Sequence, residues 1–291
     1  MKRAIRLGKD NKDFYRGETV YFGTKHQKDR ALRQALDSIG LKCEVVAVDT
    51  DKFGTFSGEL ERQGSVRETL RKKIEAVYLA RPEARFTLAS EGSFGPHPLI
   101  GLVQSDHEAL LLVDRMLQIE IYVEEISTAT NMGEIEIAFE DNFYAFLEET
   151  GFPDHGIIVK PKGNSLVVLK DFRNKTALEQ AIAEAFLLSP EKKVILSSDM
   201  RACFNPTRLK VIENTGLKLV KALTSFCPKC NIPGFAVTKW IPGLPCEECS
   251  LPTAVTKEVV WSCIKCDCSE RKARPDGLLS ISAYNCQFCN P

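Results

Sequence analysis

Arg85-Phe-Thr-Leu-Ala-Ser-Glu-Gly-Ser-Phe-Gly-Pro-His-Pro98 is the stretch on which the fold turns. Phe86 to Ala89 is mostly apolar and reads as a short buried strand, whereas Gly92, Gly95, Pro96 and Pro98 oppose both a helix and a continued ladder. A break from strand to loop is therefore expected at Glu91. Ligands of open α/β sheets bind beyond the carboxyl ends of the strands, which puts Glu91, Ser90, Ser93 and His97 where a site would lie. The alternative is a structural turn with Glu91 solvated.

Upstream, Glu18 to Gly23 reads as a strand and Thr24 as the N-cap of a helix carrying Ala31, Leu32, Ala35, Leu36 and Ile39, with Gly40 as its stop. Lys25, His26 and Lys28 would then occupy the first turn. Cations there oppose the helix dipole, but a bound phosphate would gain from them and from the free N–H groups; the alternative is a solvated basic face. Leu41 to Thr50 gives a second strand that ends in Asp49 and Asp51, and the turn-rich segment after it carries Glu59. A capping box, Ser65-Val-Arg-Glu68, opens a helix lined by Arg67, Arg71, Lys72 and Lys73, a solvated face or a second phosphate-facing group.

Downstream, 108–114 and 118–126 form a hairpin that makes the sheet mixed. A helix around 138–150, strands near 156–160 and 165–169, a helix from the Thr176–Glu179 capping box to Leu188 and a strand at 194–197 follow. Asn205 caps a last helix with Pro206 in its first turn, behind a loop holding Asp199, Arg201 and Arg208. The class is α/β, a mixed sheet with helices on both faces, followed by a small double zinc-ribbon module. Residues 1–224 form the ligand-binding domain and 225–291 the cysteine-rich module.

Lys+Arg and Asp+Glu both total 39 in 291 residues, so no overall charge favours nucleic acid or an anionic membrane. No apolar run approaches the length that spans a bilayer, and a cytoplasmic protein is expected. Nine of the eleven cysteines follow residue 226. Cys227/Cys230 and Cys246/Cys249 are separated by fifteen residues, Cys263/Cys266 and Cys286/Cys289 by nineteen. This is the spacing of closed four-thiolate zinc sites, which serve folding and leave no position open for catalysis. Two structural zinc ions follow, paired sequentially or cross-braced, with Cys268 replacing Cys266 or left over. Seven Lys or Arg against six Asp or Glu after Ser225, together with the thiolates, make the module net acidic, so a protein contact is expected of it and duplex nucleic acid is not.

Asp49-Thr-Asp-Lys-Phe-Gly-Thr-Phe-Ser-Gly-Glu59, Ala89 to Pro98, Asp199-Met-Arg201, Asn205-Pro-Thr-Arg208 and Cys286-Gln-Phe-Cys-Asn-Pro291 resemble an uncharacterised bacterial family, domain of unknown function 6671. That resemblance implies no activity. The order of Thr24, Lys28, the helix Glu68 to Ala76, Glu91-Gly92 and a hairpin through Asp114 is similar to the inosine/xanthosine triphosphate pyrophosphatases. The likeness implies Lys28 as a phosphate ligand and Glu91 as a ligand of Mg2+; this chain departs from the pattern at Thr24-Lys-His26 and Arg71-Lys-Lys73, and Asp49 and Asp51, acids at a strand's carboxyl end, are further catalytic candidates by position alone. A nucleotide or other phosphorylated small molecule is the expected partner.

Overall fold

The structure, a computed structural model, describes residues 11–25, 27–49 and 64–291, the side chain of Lys12 excepted; His26, Asp51 and Glu59 lie outside the described residues. Two compact units result, one of residues 15–220 and one of residues 11–14 with 221–291. No helix among the described residues is long and apolar enough to cross a membrane.

In the larger unit, β1 (Thr19–Gly23), β2 (Lys42–Val46), β3 (Phe86–Pro96), β4 (Gln104–Asp114) and β5 (Ile119–Ser127) form one sheet in the order β2-β1-β3-β4-β5. The first three run parallel and the hairpin returns antiparallel, so the sheet is mixed. Helices cover both faces. Leu70 and Ile74 of α2 (Val66–Ala80) pack on Ala89, Ala109 and Leu111. Glu108, one residue before Ala109, points the other way, to Lys28 of α1 (Lys28–Asp37) and Arg208 of α5 (Pro206–Leu223). There α1 and α5 come so close that a Cβ on Gly216 would lie 2.7 Å from Leu32 Cδ2.

A second sheet, not expected from the sequence, is antiparallel throughout: β6 (Glu134–Ile137), β9 (Val194–Ser198), β7 (Ile157–Pro161) and β8 (Leu169–Phe172) in that spatial order. It buries its own core of Ile157, Val159 and Leu196 against Phe146 and Leu147 of α3 (Tyr144–Thr150) and Leu178, Ile182 and Phe186 of α4 (Lys175–Leu188).

Three local expectations are corrected. The strand through Phe86 does not break at Glu91: β4 pairs with it from Phe86↔Asp114 to Pro96↔Gln104. Pro96 is tolerated because it is the strand's last residue, where no further ladder bond is asked of it. Thr24 does not cap α1; its hydroxyl donates to the Lys25 carbonyl, and Gln27 at φ 59° precedes the helix, so Lys25 lies outside it. Asn174, not Thr176, caps α4, accepting from the Ala177 N–H at 2.9 Å. The Ser65/Glu68 capping box and the Asn205 cap on α5 form as expected.

The smaller unit carries β10 (Ala236–Pro242), β11 (Thr256–Ser262) and β12 (Ser269–Ala273) as an antiparallel sheet.

Candidate metal centres and a buried charge cluster

Within the smaller unit, β10 begins just after Cys230 and β11 ends just before Cys263. Because the two strands are antiparallel, with Ala236 opposite Ser262, the first and third cysteine pairs arrive at the same end. The second pair follows β10 at the other end, where a bridge from Cys246 to Ile281 brings the fourth pair in. Two interleaved groups result, Cys227, Cys230, Cys263 and Cys266, and Cys246, Cys249, Cys286 and Cys289, the four sulfurs of each lying within 4.8 Å of one another. Cys268 belongs to neither. The Sγ–Sγ distances across the groups are 3.7 and 3.5 Å in the first and 3.9 and 3.8 Å in the second. Thiolates about 2.3 Å from a tetrahedral zinc stand about 3.8 Å apart, so both groups have the dimensions of a closed metal site. Backbone N–H groups of Lys265 and Cys266 point at Cys263 Sγ and that of Phe288 at Cys286 Sγ, at 3.3 to 3.4 Å. Such donors favour the thiolate form that metal binding needs.

In the larger unit, β1 stops at Gly23 opposite Ala89 while β3 continues. Residues 90 to 92 therefore lie past the end of a parallel neighbour. Lys73 of α2 takes up part of the vacated pairing: its Nζ donates to the Ser90 carbonyl at 3.0 Å and to Glu91 Oε2. Lys73 and Glu91 are both buried. On the opposite face Arg208 Nε donates to Glu108 Oε1 at 2.5 Å, and Lys28 Nζ stands 4.0 Å from Glu108 Oε2. All three side chains are buried. Burial, and then the Arg208 charge, lower the Lys28 pKa to about 8, with Lys73 pushing the same way and Glu108 and Glu91 opposing. Three cations and two carboxylates thus share one desolvated place at the carboxyl end of β1. Two residues before Glu108, Asp106 is also buried, and burial followed by the Glu108 charge raises its carboxyl to about 7.

The other sequence candidates are scattered. Lys25 pairs with Asp49 at 2.8 Å in an exposed bridge, and Arg71 is held by Glu120 on the outer face of α2. His97 Nδ1 accepts from the Leu99 and Ile100 N–H groups of its own turn, and Ser93 lies opposite His107 in the sheet. Asp199, fully buried, is gripped by Arg201, which also meets Asp171 at 2.7 Å. This is a closed network that ties the β9–α5 loop. Of the residues picked from sequence, Lys28, Ser90, Glu91 and Arg208 come together. Lys73, read from the sequence as part of a solvated or phosphate-facing basic stretch, completes the cluster with Asp106 and Glu108, neither of which stood out in the sequence as a ligand. Their signal was charged residues inside elements that must be buried: Lys73 beside Ile74 on the apolar stripe of α2, and Asp106 and Glu108 leading into the run Ala109 to Val113.

A family model described as a domain of unknown function (DUF6671) matches residues 78–291. No curated protein matches the chain. Among solved structures, protein VC0702 from Vibrio cholerae aligns at 8% identity and a TM-score of 0.32, covering 70% of this chain and 93% of that one, a likeness too slight to carry an argument.

Proposed function

We propose that this chain, which belongs to the DUF6671 family, is a zinc-stabilised protein whose α/β unit binds a phosphate-bearing small molecule and hydrolyses a nucleoside triphosphate with magnesium. The observation that carries the reading is the burial of Lys28, Lys73 and Arg208 around Glu91 and Glu108 past the end of β1. Phosphoryl chemistry needs both signs in one dry place: cations for the transferring oxygens and carboxylates for the metal that activates water. Lys28 and Arg208 would hold phosphate, and Glu91, released from Lys73 by the incoming anion, would serve the metal. The pyrophosphatase-like order of Lys28, Glu91 and the hairpin in the sequence points the same way.

Zinc is the metal that four thiolates at these distances suit, and the closed shells give it a folding role. Reduced thiolates in turn favour a cytoplasmic setting. A second reading rests on the exposed Leu251, Leu278, Leu279, Tyr284 and Phe288 of the smaller unit, an apolar set suited to a protein partner. In that case the protein is an adaptor and the buried charges only hold the fold.

The test is thermal shift and calorimetry on the zinc-loaded full chain with pyrophosphate and a nucleoside triphosphate panel in magnesium, together with phosphate and pyrophosphate release. Lys28→Met should abolish binding. Glu91→Gln should keep binding, retain the wild-type circular dichroism, and lose roughly 100-fold or more in turnover. Neither shift nor turnover with any polyphosphate would overturn the reading and leave the adaptor.

A further inference from the structure

Strand β4 enters the sheet with two acids two residues apart, Asp106 and Glu108, which face the same side because strand side chains alternate. Their exposures are 1% and 2%. Glu108 is provided for: Arg208 Nε reaches Oε1 at 2.5 Å, and Lys28 Nζ lies at ion-pair distance from Oε2. Asp106 is different, for neither Oδ1 nor Oδ2 meets a hydrogen-bond donor among the described residues. A carboxylate shut away from water with both oxygens orphaned is among the costliest groups a fold can carry. The Arg208 and Lys28 charges act on it from nearby, yet no group donates to either of its oxygens, so both stand open to a further ligand.

We propose that Asp106 and Glu108 bind one divalent cation of the hard, oxygen-liganded class to which magnesium and manganese belong. The donors within reach are carboxylate oxygens, which suit that class and not a thiophilic metal. A proton would serve only one Asp106 oxygen, whereas a cation serves both and offsets the neighbouring Glu108 charge. The surroundings fit. Gly92, opposite Glu108 in register, has no Cβ to crowd the pair, and Phe94, opposite Asp106, lies with its ring 5.3 Å beneath the Arg208 guanidinium. That apolar wall keeps the local dielectric low, which strengthens attraction between ion and carboxylate. Two protein carboxylates leave most of a magnesium shell to water and to substrate oxygens, the usual division in phosphate sites. For the anion that completes the shell, the proposal rests on the phosphate-binding reading above.

Manganese is the probe. The zinc-loaded full chain is titrated with Mn2+ alone and followed by electron paramagnetic resonance, and Mg2+ is then added in competition. One saturable site, emptied by Mg2+, is expected. Asp106→Asn, which keeps the shape and removes the charge, should weaken Mn2+ roughly tenfold or more while retaining its circular dichroism and zinc content. Asp106→Ser, smaller still, should weaken it likewise if the amide disturbs folding. Absence of a saturable site, or unchanged affinity in a folded variant, overturns the proposal. Calorimetry with pyrophosphate on the same samples separates the two readings. Pyrophosphate binding without the Mn2+ site refutes the cation site alone, and an Mn2+ site without pyrophosphate binding refutes the phosphate reading alone.

Discussion

Gly92→Ala should be among the most damaging single-methyl additions this protein can receive. A Cβ at Gly92 would lie 2.4 Å from Glu108 Oε1, 2.5 Å from Arg208 Nη2 and 2.8 Å from Glu108 Cδ, all well inside contact distance. Side-chain ends usually swing aside cheaply, but these are 2% and 1% exposed and locked to each other. The methyl must part a buried ion pair or push a helix off the sheet. Breaking such a pair costs about 3 to 5 kcal/mol and overpacking alone about 1 to 3, so a loss of about 3 kcal/mol is expected. Gly95→Ala is the internal control: it lies on the same strand, has nothing within 4 Å of its Cβ and needs no unusual φ. Its effect should be near zero for want of any clash. The assay is urea unfolding of the zinc-loaded chain, comparing midpoints at a common slope. If Gly92→Ala unfolds within about 0.5 kcal/mol of Gly95→Ala, the Glu108–Arg208 pair is not held as described, and the charge cluster built on it loses its anchor.

Further outcomes concern both units. The double variant Cys227→Ser/Cys263→Ser strikes a single site in the interleaved pairing and two sites in a sequential one, so metal analysis should find about one zinc retained and not none. Without added divalent cation, the folded-state pKa of Asp106, about 7, exceeds its ordinary 3.8, so the folded form holds the proton more tightly than the unfolded one. Stability should therefore rise as pH falls from 7 towards 4. The ionised form's penalty, at most about 4 kcal/mol, is fully present above 7. Asp106→Asn should out-stabilise the wild type by up to that amount at pH 8 and match it near pH 4, whereas a pH-independent difference would show the carboxyl ionised throughout. Finally, filter binding at physiological salt should give duplex DNA affinity no tighter than about 1 μM, since positive and negative residues balance at 39 each. Tighter binding would require a basic face.

Local signals carried much of the fold. Ser65 with Glu68, and Asn205 before Pro206, mark helix starts through side-chain bonds that reach three residues on, so the sequence alone specifies them. The alternating hairpin and the four cysteine knuckles are legible for the same reason, and they determine a mixed sheet followed by eight paired thiols. What local pattern could not reach was partnership between distant segments. Gly92 and Pro96 read as breakers because their intrinsic preference is against a strand, yet β4 pairs along the whole of β3 and overrides it. Spacing alone leaves the thiol pairing open; the antiparallel register of β10 on β11, which puts Cys230 beside Cys263, settles it. The charged cluster lies still further from the sequence, because Lys28, Lys73, Glu108 and Arg208 sit on four different elements. Each has an ordinary solvated reading when taken alone. Only when β1 stops short and α2 closes on one face of β3 and β4, with α1 and α5 on the other, are they driven together out of water, and burial then makes their charges matter.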